Sequence, residues 1–220
     1  LEQGPSAAVT GVLLTTPEAD CGEDGSSGIY DMVCGGGVWS PAGPSAFSTD
    51  DSYELIVSTG NGQLDLTRRD YAHTMMRVPP GMNFDPGCDE DLCADYNTLD
   101  PSIDCIASCQ NLFIPRLLPD DPPLAPASGI CDGKTFFECY ALLDYDFGAN
   151  APARVTLADG RKVYVQGAKD GHIYLIDADH LGTLHDRLKI AEICGGVDDE
   201  CRVKWAGQMV TQPVLSPIHD

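Results

Sequence analysis

Apolar and polar positions alternate most clearly late in the chain. In Arg161-Lys-Val-Tyr-Val-Gln166, Lys162, Tyr164 and Gln166 alternate with Val163 and Val165. That period of two sends successive side chains to opposite faces of a strand. Gly-Ala-Lys-Asp-Gly follows at 167–171, then His172-Ile-Tyr-Leu-Ile-Asp177. Asp170-Gly171 supplies the positive φ that a tight hairpin turn requires. The pattern predicts two paired strands with one face buried. A second pair is expected at 37–41 and 53–59, an earlier strand at 9–16, and the opening of another at 208–215. Apolar residues at helical spacing are scarce, so the chain reads as all-β.

Periodicity disappears between about 79 and 140. This stretch holds six of the ten cysteines and 11 acidic residues, against only Arg116 and Lys134. Asp120-Asp-Pro-Pro-Leu-Ala-Pro126 is restricted to extended or turn conformations. The segment reads as a long insertion held by disulfides rather than by a core of its own. The expected organisation is a blade-like tail at 1–30, a sheet unit at 31–78, the insertion at 79–140, a second unit at 141–190, and a linker with a new start at 191–220.

Composition narrows the class of partner. Asp and Glu number 34 against 13 Lys and Arg, a formal charge of −21. Such a field repels phosphate backbones and anionic headgroups, which argues against nucleic acid and membrane-surface partners and for cations such as Ca²⁺. No apolar run approaches the ~20 residues of a membrane helix. The first residues carry neither a basic nor an apolar leader pattern, so in an exported chain the signal peptide is already gone.

The cysteines fall into neighbours along the sequence: Cys21 with Cys34, Cys88 with Cys93, Cys105 with Cys109, Cys131 with Cys139, and Cys194 with Cys201. An even number without Cys-x-x-Cys spacing points to disulfides of an oxidising, extracytoplasmic compartment rather than to a metal site. Proximity suggests those pairs, although spacing alone does not fix connectivity.

Two blocks resemble a known family. Gly35-Gly-Gly-Val-Trp-Ser-Pro-Ala42, followed by Glu54-Leu-Ile-Val-Ser-Thr-Gly-Asn-Gly62, is similar to a blade signature of quinoproteins, the propellers that bind pyrroloquinoline quinone (PQQ). Asp144-Tyr-Asp-Phe-Gly-Ala-Asn-Ala-Pro152, running into 157–165 and 167–177, resembles the polyvinyl-alcohol-dehydrogenase-like members. The matches cover roughly half the chain, in the family's order. The resemblance implies a partial β-propeller of about three to four four-stranded blades, completed by further blades of this or another chain. A small β-sandwich carrying an insertion is the plainer alternative.

The resemblance also implies a site. Asn61 corresponds to a Ca²⁺ ligand that holds PQQ and Asp144 or Asp146 to the general base on an alcohol; Trp39 and Trp205, as large aromatics, offer surfaces on which a flat cofactor can stack. Amide and carboxylate oxygens suit Ca²⁺, and a carboxylate beside a hydroxyl can accept its proton. Each residue has a simpler reading. Gly60-Asn61-Gly62 suits a tight turn, Asp144 and Asp146 suit turn caps, and Trp39 and Trp205 suit core packing. The family's docking repeat survives only in the middle, at Asp177-Ala-Asp-His-Leu-Gly182, and there is no vicinal cysteine pair. Asp85, Asp89, Glu90, Asp91 and Asp95 lie close enough in sequence to share a Ca²⁺, yet match no standard loop, and read first as a solvated acidic surface. Two functions therefore stand open: a non-catalytic binding or assembly propeller, placed first, and part of a PQQ- and Ca²⁺-dependent alcohol dehydrogenase.

Overall fold

The computed structural model describes residues 11–17, 35–39, 44–48, 53–94, 102–116, 137, 140–141 and 145–189. The fold is all-β; among the described residues one short α-helix is complete. Its strands are β1 (Ser45–Ser48), β2 (Tyr53–Ser58), β3 (Leu64–Asp65), β4 (Asp70–Tyr71), β5 (Met75–Val78), β6 (Leu112–Phe113), β7 (Ala153–Thr156), β8 (Lys162–Gly167), β9 (His172–Asp177) and β10 (Leu184–Lys189). The helix α1 spans Ile103–Ser108 and is capped by the Ser102 hydroxyl, which accepts from the Cys105 N–H.

Two four-stranded antiparallel sheets result, ordered β1-β2-β5-β6 and β10-β9-β8-β7. The hairpin expected at 161–177 forms as β8 and β9, with Val165 opposite Leu175. Its turn closes through Gly171 N–H to Ala168 O, with Gly171 at φ 82°. The expected single buried face is corrected: Val163, Tyr164 and Gln166 are all fully buried, so both faces of β8 are covered. The expectation at 53–59 holds as β2, whose partners are β1 and β5 rather than 37–41; residues 37–39 run alongside Gly60 without forming a strand. Residues 11–16 likewise form no strand. The start expected at 208–215 lies outside the described residues.

The period of two organises the core of the first sheet. Ile56, Met75 and Phe113 point toward the second sheet and pack with Phe147, Tyr164, Tyr174, Ile176 and Leu181. Their sequence neighbours Met76 and Leu112 point the other way, into a cluster with Leu64, Tyr71, Ile106, Cys109, Ile114 and Phe137. The segment after residue 79 is thus more than a disulfide-held loop: it supplies β6 and half of the second cluster.

Polar contacts also join the two sheets. Tyr164 Oη donates to Glu54 Oε1 at 2.7 Å, and Arg77 and Arg154 flank the same carboxylate at 3.2 and 3.7 Å. Ser45 Oγ donates to Pro152 O at 2.7 Å.

The disulfides correct the expected pairing. Cys88 bonds Cys109 and Cys93 bonds Cys105, one loop nested within the other, in place of Cys88 with Cys93 and Cys105 with Cys109. One helical turn explains the exchange. Cys105 and Cys109 lie on adjacent turns of α1 and its cap, so each meets a cysteine of the 88–93 segment running past them. Cys21, Cys34, Cys131, Cys139, Cys194 and Cys201 lie outside the described residues. The nested loops fasten α1 against the β9–β10 turn, where Gly182 N donates to Cys109 O and Leu181 N to Gln110 O.

Candidate functional site

Residues 59–62 follow directly from β2 and are held from two sides. Thr59 N donates to Thr74 O at 2.8 Å, Thr59 Oγ1 donates to Tyr71 O at 2.7 Å, and His73 N donates to Gly60 O at 2.8 Å. On the other side Gly36 N donates to Asn61 O at 2.6 Å and Gly60 N to Gly37 O at 2.9 Å. All the main-chain bonds that fix this corner therefore come from neighbouring segments, not from a turn closing on itself.

Asn61 and Asp146 meet here. Asp146 Oδ1 accepts from Asn61 N at 2.6 Å, and Asp146 Oδ2 lies 2.5 Å from Lys169 Nζ. Asp146 begins the 3-10 turn Phe147–Ala149 without capping it, so its carboxylate is spent on the site instead. Lys169 arrives on the β8–β9 turn, and its own N–H donates to Asp146 O at 3.1 Å. Asn61 does not have the positive φ expected of a tight-turn residue. Its side chain is 8% exposed, and neither its amide nitrogen nor its oxygen has a hydrogen-bond partner. A buried amide left unsatisfied costs about 1–3 kcal/mol, which calls for an occupant or a function.

Trp39 overturns its core reading. It is 64% exposed, and its indole lies over Gly60, where a β-carbon would stand 2.4 Å from Trp39 Nε1 and 2.7 Å from Asp146 Oδ1. Glycine is needed at 60 for that approach. Gly148 is equally constrained, since its β-carbon would stand 2.3 Å from the Thr59 carbonyl carbon. Asp144 and Trp205 lie outside the described residues.

Two residues at the site carried no sequence signal of function. Lys169 was read only as part of a turn. His73 is fully buried, with φ 58° and with both ring nitrogens unpartnered. Its ring meets Tyr140 edge-on at 4.7 Å and also borders Phe137 and Phe147. Burial pushes the His73 pKa down to about 4, against the opposing charges of Asp170 and Asp146.

The acidic stretch behaves as surface. Asp85 accepts from Gly87 N, and Asp89 from Asp91 N and Leu92 N, so both carboxylates cap their own exposed loop. Asp95 lies outside the described residues. No group of three metal-ligating side chains occurs among the described residues. None of the described helices is long and apolar enough to cross a membrane.

No protein-family model matches this chain, and neither does any curated protein sequence.

Proposed function

We propose that this chain is part of an extracytoplasmic quinoprotein-like β-propeller whose corner at Asn61, Asp146 and Lys169 receives a planar, carbonyl-bearing cofactor of the PQQ kind together with Ca²⁺. The convergence of Asn61 and Asp146 from segments 85 residues apart carries the reading. These two come from separate blocks of the sequence resemblance, and a purely structural propeller has no need to bring them together.

The strand order supports the propeller. Each sheet is made from its own stretch of chain, and among the described residues no strand crosses from one sheet to the other. Blades are built that way, whereas Greek-key sandwiches exchange strands between sheets. The disulfides support an oxidising compartment.

The donor set fits the cofactor in part. The unpartnered Asn61 Oδ1 is an oxygen ligand of the type Ca²⁺ takes, but one ligand falls short of the usual six to eight, so other oxygens must come from the cofactor, from water or from elsewhere in the assembly. The exposed Trp39 ring offers a flat apolar surface beside it. When bound, the quinone supplies the hydride acceptor. The chain's residues would do the rest: Asn61 orients, Trp39 covers one face and excludes water, and Asp146 takes the hydroxyl proton of an alcohol. Lys169 presents a positive charge to an electron-rich carbonyl oxygen.

One observation favours the second reading, a non-catalytic binding or assembly module. Both Asp146 oxygens are already engaged, by Asn61 N and Lys169 Nζ, as in a structural latch between segments. Metal analysis and an absorption spectrum of the native protein, with an alcohol and dye-acceptor assay before and after reconstitution with PQQ and Ca²⁺, separate the two. Bound quinone and dye reduction, both lost in Asn61→Ala, support the dehydrogenase. No quinone uptake and no activity after reconstitution leave the binding module.

A further inference from the structure

The turn that carries Lys169 also carries a buried carboxylate, that of the next residue. Asp170 is almost entirely enclosed, with a side chain 2% exposed. Its Oδ1 accepts from His172 N at 3.0 Å. Its Oδ2 accepts from Tyr140 Oη at 2.7 Å and from Tyr174 Oη at 2.5 Å, with His172 Nδ1 at 3.3 Å. Tyr174 belongs to β9, while Tyr140 comes from the segment that packs on His73.

A buried carboxylate held by two phenols is an expensive way to close a hairpin. Asp170-Gly171 needs only main-chain bonds to form its turn, and those are present, Gly171 N to Ala168 O and Ala168 N to His172 O. Burial opposes ionisation of Asp170, yet the bonds and charge of His172 and the hydroxyls of Tyr174 and Tyr140 hold its carboxyl below the ordinary range. Charge-assisted bonds of this kind are roughly twice as strong as neutral ones and fix direction. They anchor residue 170 at the tip of the turn, next to Lys169, whose ammonium meets Asp146 Oδ2.

We propose that Asp170, gripped by Tyr140 and Tyr174, is the positioning residue that aims the Lys169 ammonium at Asp146 and so at the ligand of the corner. Its ligand-directed role rests on the quinoprotein reading; the aiming of Lys169 does not. The grip ties two faces of the corner together, because Tyr140 also packs on the ring of His73, the residue whose main-chain N–H donates to Gly60 O. A lysine on a free hairpin tip would sample many rotamers and lose side-chain entropy on being fixed. The anchored turn removes part of that cost before any ligand arrives.

The test labels lysines in the intact chain with limiting acetylating reagent and reads each site by mass spectrometry, with the exposed Lys162 as internal reference. In the parent protein Lys169, 15% exposed and paired with Asp146, should label slowly. Asp170→Asn should raise the Lys169-to-Lys162 ratio several-fold, and Tyr140→Phe with Tyr174→Phe should do the same. The phenol variants decide the matter if Asp170→Asn does not fold. An unchanged ratio in the folded variants overturns the proposal, as does an equal rise at every lysine, which would mean general loosening. Equilibrium dialysis with PQQ and CaCl₂ is run in parallel. Weaker uptake by the variants extends the role to ligand binding. If the parent protein takes up no PQQ, the quinoprotein reading fails while the labelling ratio still decides whether Asp170 aims Lys169.

Discussion

The Asp146 carboxylate accepts from the Asn61 main-chain N–H at 2.6 Å, joining the end of the first sheet to the approach of the second. The same carboxylate balances Lys169, so one side chain satisfies a buried donor and a nearby cation together. Asp146→Ala removes the acceptor of the Asn61 N–H and the carboxylate partner of Lys169, and hydrogen bonds to charged groups contribute about 1.5–3 kcal/mol each. Urea unfolding should show a loss of about 2–4 kcal/mol on that scale, with Asp146→Asn losing clearly less because its oxygen can still accept from Asn61. Equal losses for the two variants would mean that the contact carries little of the corner's stability.

His73 makes stability depend on pH in a defined window. Its pKa is about 4 in the folded chain, against 6.5 for an unperturbed histidine. Between those values the unfolded chain binds a proton that the folded chain refuses, so stability falls as pH drops from 6.5 to 4. The whole effect is about 3 kcal/mol by linkage, fully available above pH 6.5 and gone below 4. Asp170 works lower down. Its depressed carboxyl stabilises above about pH 4 and loses that contribution only on further acidification. Denaturant titrations from pH 7.5 to 4 should show the slope in the parent and a flat line in His73→Phe. A slope that survives the substitution would assign it to other groups.

Much of this fold could be read from alternation, and the failures share a cause. The β8–β9 hairpin was legible because its turn chemistry and its period of two agree. Its second buried face was not, since Gln166 looks like a solvent residue until Ser58, Phe147 and Asn150 surround it. The disulfide exchange was equally hidden, because connectivity depends on which residues a six-residue helix brings onto one side. Asn61, Asp146 and Trp39 stand out in the sequence through the resemblance alone, and the structure brings Asn61 and Asp146 into contact. Lys169 and His73 were missed because their significance comes from partners distant in sequence: Asp146 for one, the aromatic cage for the other.

The nested disulfides predict a peptide map. Digestion without reduction should release one fragment joining Cys88 to Cys109 and another joining Cys93 to Cys105. Closing a loop of 21 residues, as Cys88–Cys109 does, removes about 3 kcal/mol of unfolded-chain entropy. The inner bond adds less, since its loop is already confined. Replacing Cys88 and Cys109 together by Ser should therefore lower the melting temperature more than replacing Cys93 and Cys105. Recovery of Cys88–Cys93 or Cys105–Cys109 fragments from native protein would contradict the structure.

Gln166 offers the sharpest separation of hydrophobic from polar stabilisation between the sheets. It is fully buried in β8, beside Tyr164. Its amide nitrogen donates to Phe147 O at 3.0 Å and to Asn150 Oδ1 at 2.8 Å, while its oxygen accepts from Ser58 Oγ at 3.3 Å. These bonds fasten the 3-10 turn behind Asp146 to both sheets. Gln166→Leu keeps nearly the same volume, but it removes the bonds to Phe147 O and Asn150 Oδ1 and takes the acceptor from the Ser58 hydroxyl, and a buried polar group left unpaired costs about 1–3 kcal/mol. Gln166→Glu buries a charge and points a carboxylate at Phe147 O and Asn150 Oδ1, which are acceptors, and should be worse still at neutral pH. The expected order of melting temperature is parent, then Leu, then Glu, with the Glu variant recovering part of its loss on acidification as its carboxyl protonates. A Leu variant as stable as the parent would show that packing alone holds the sheets together and that the turn carrying Asp146 needs no polar tether.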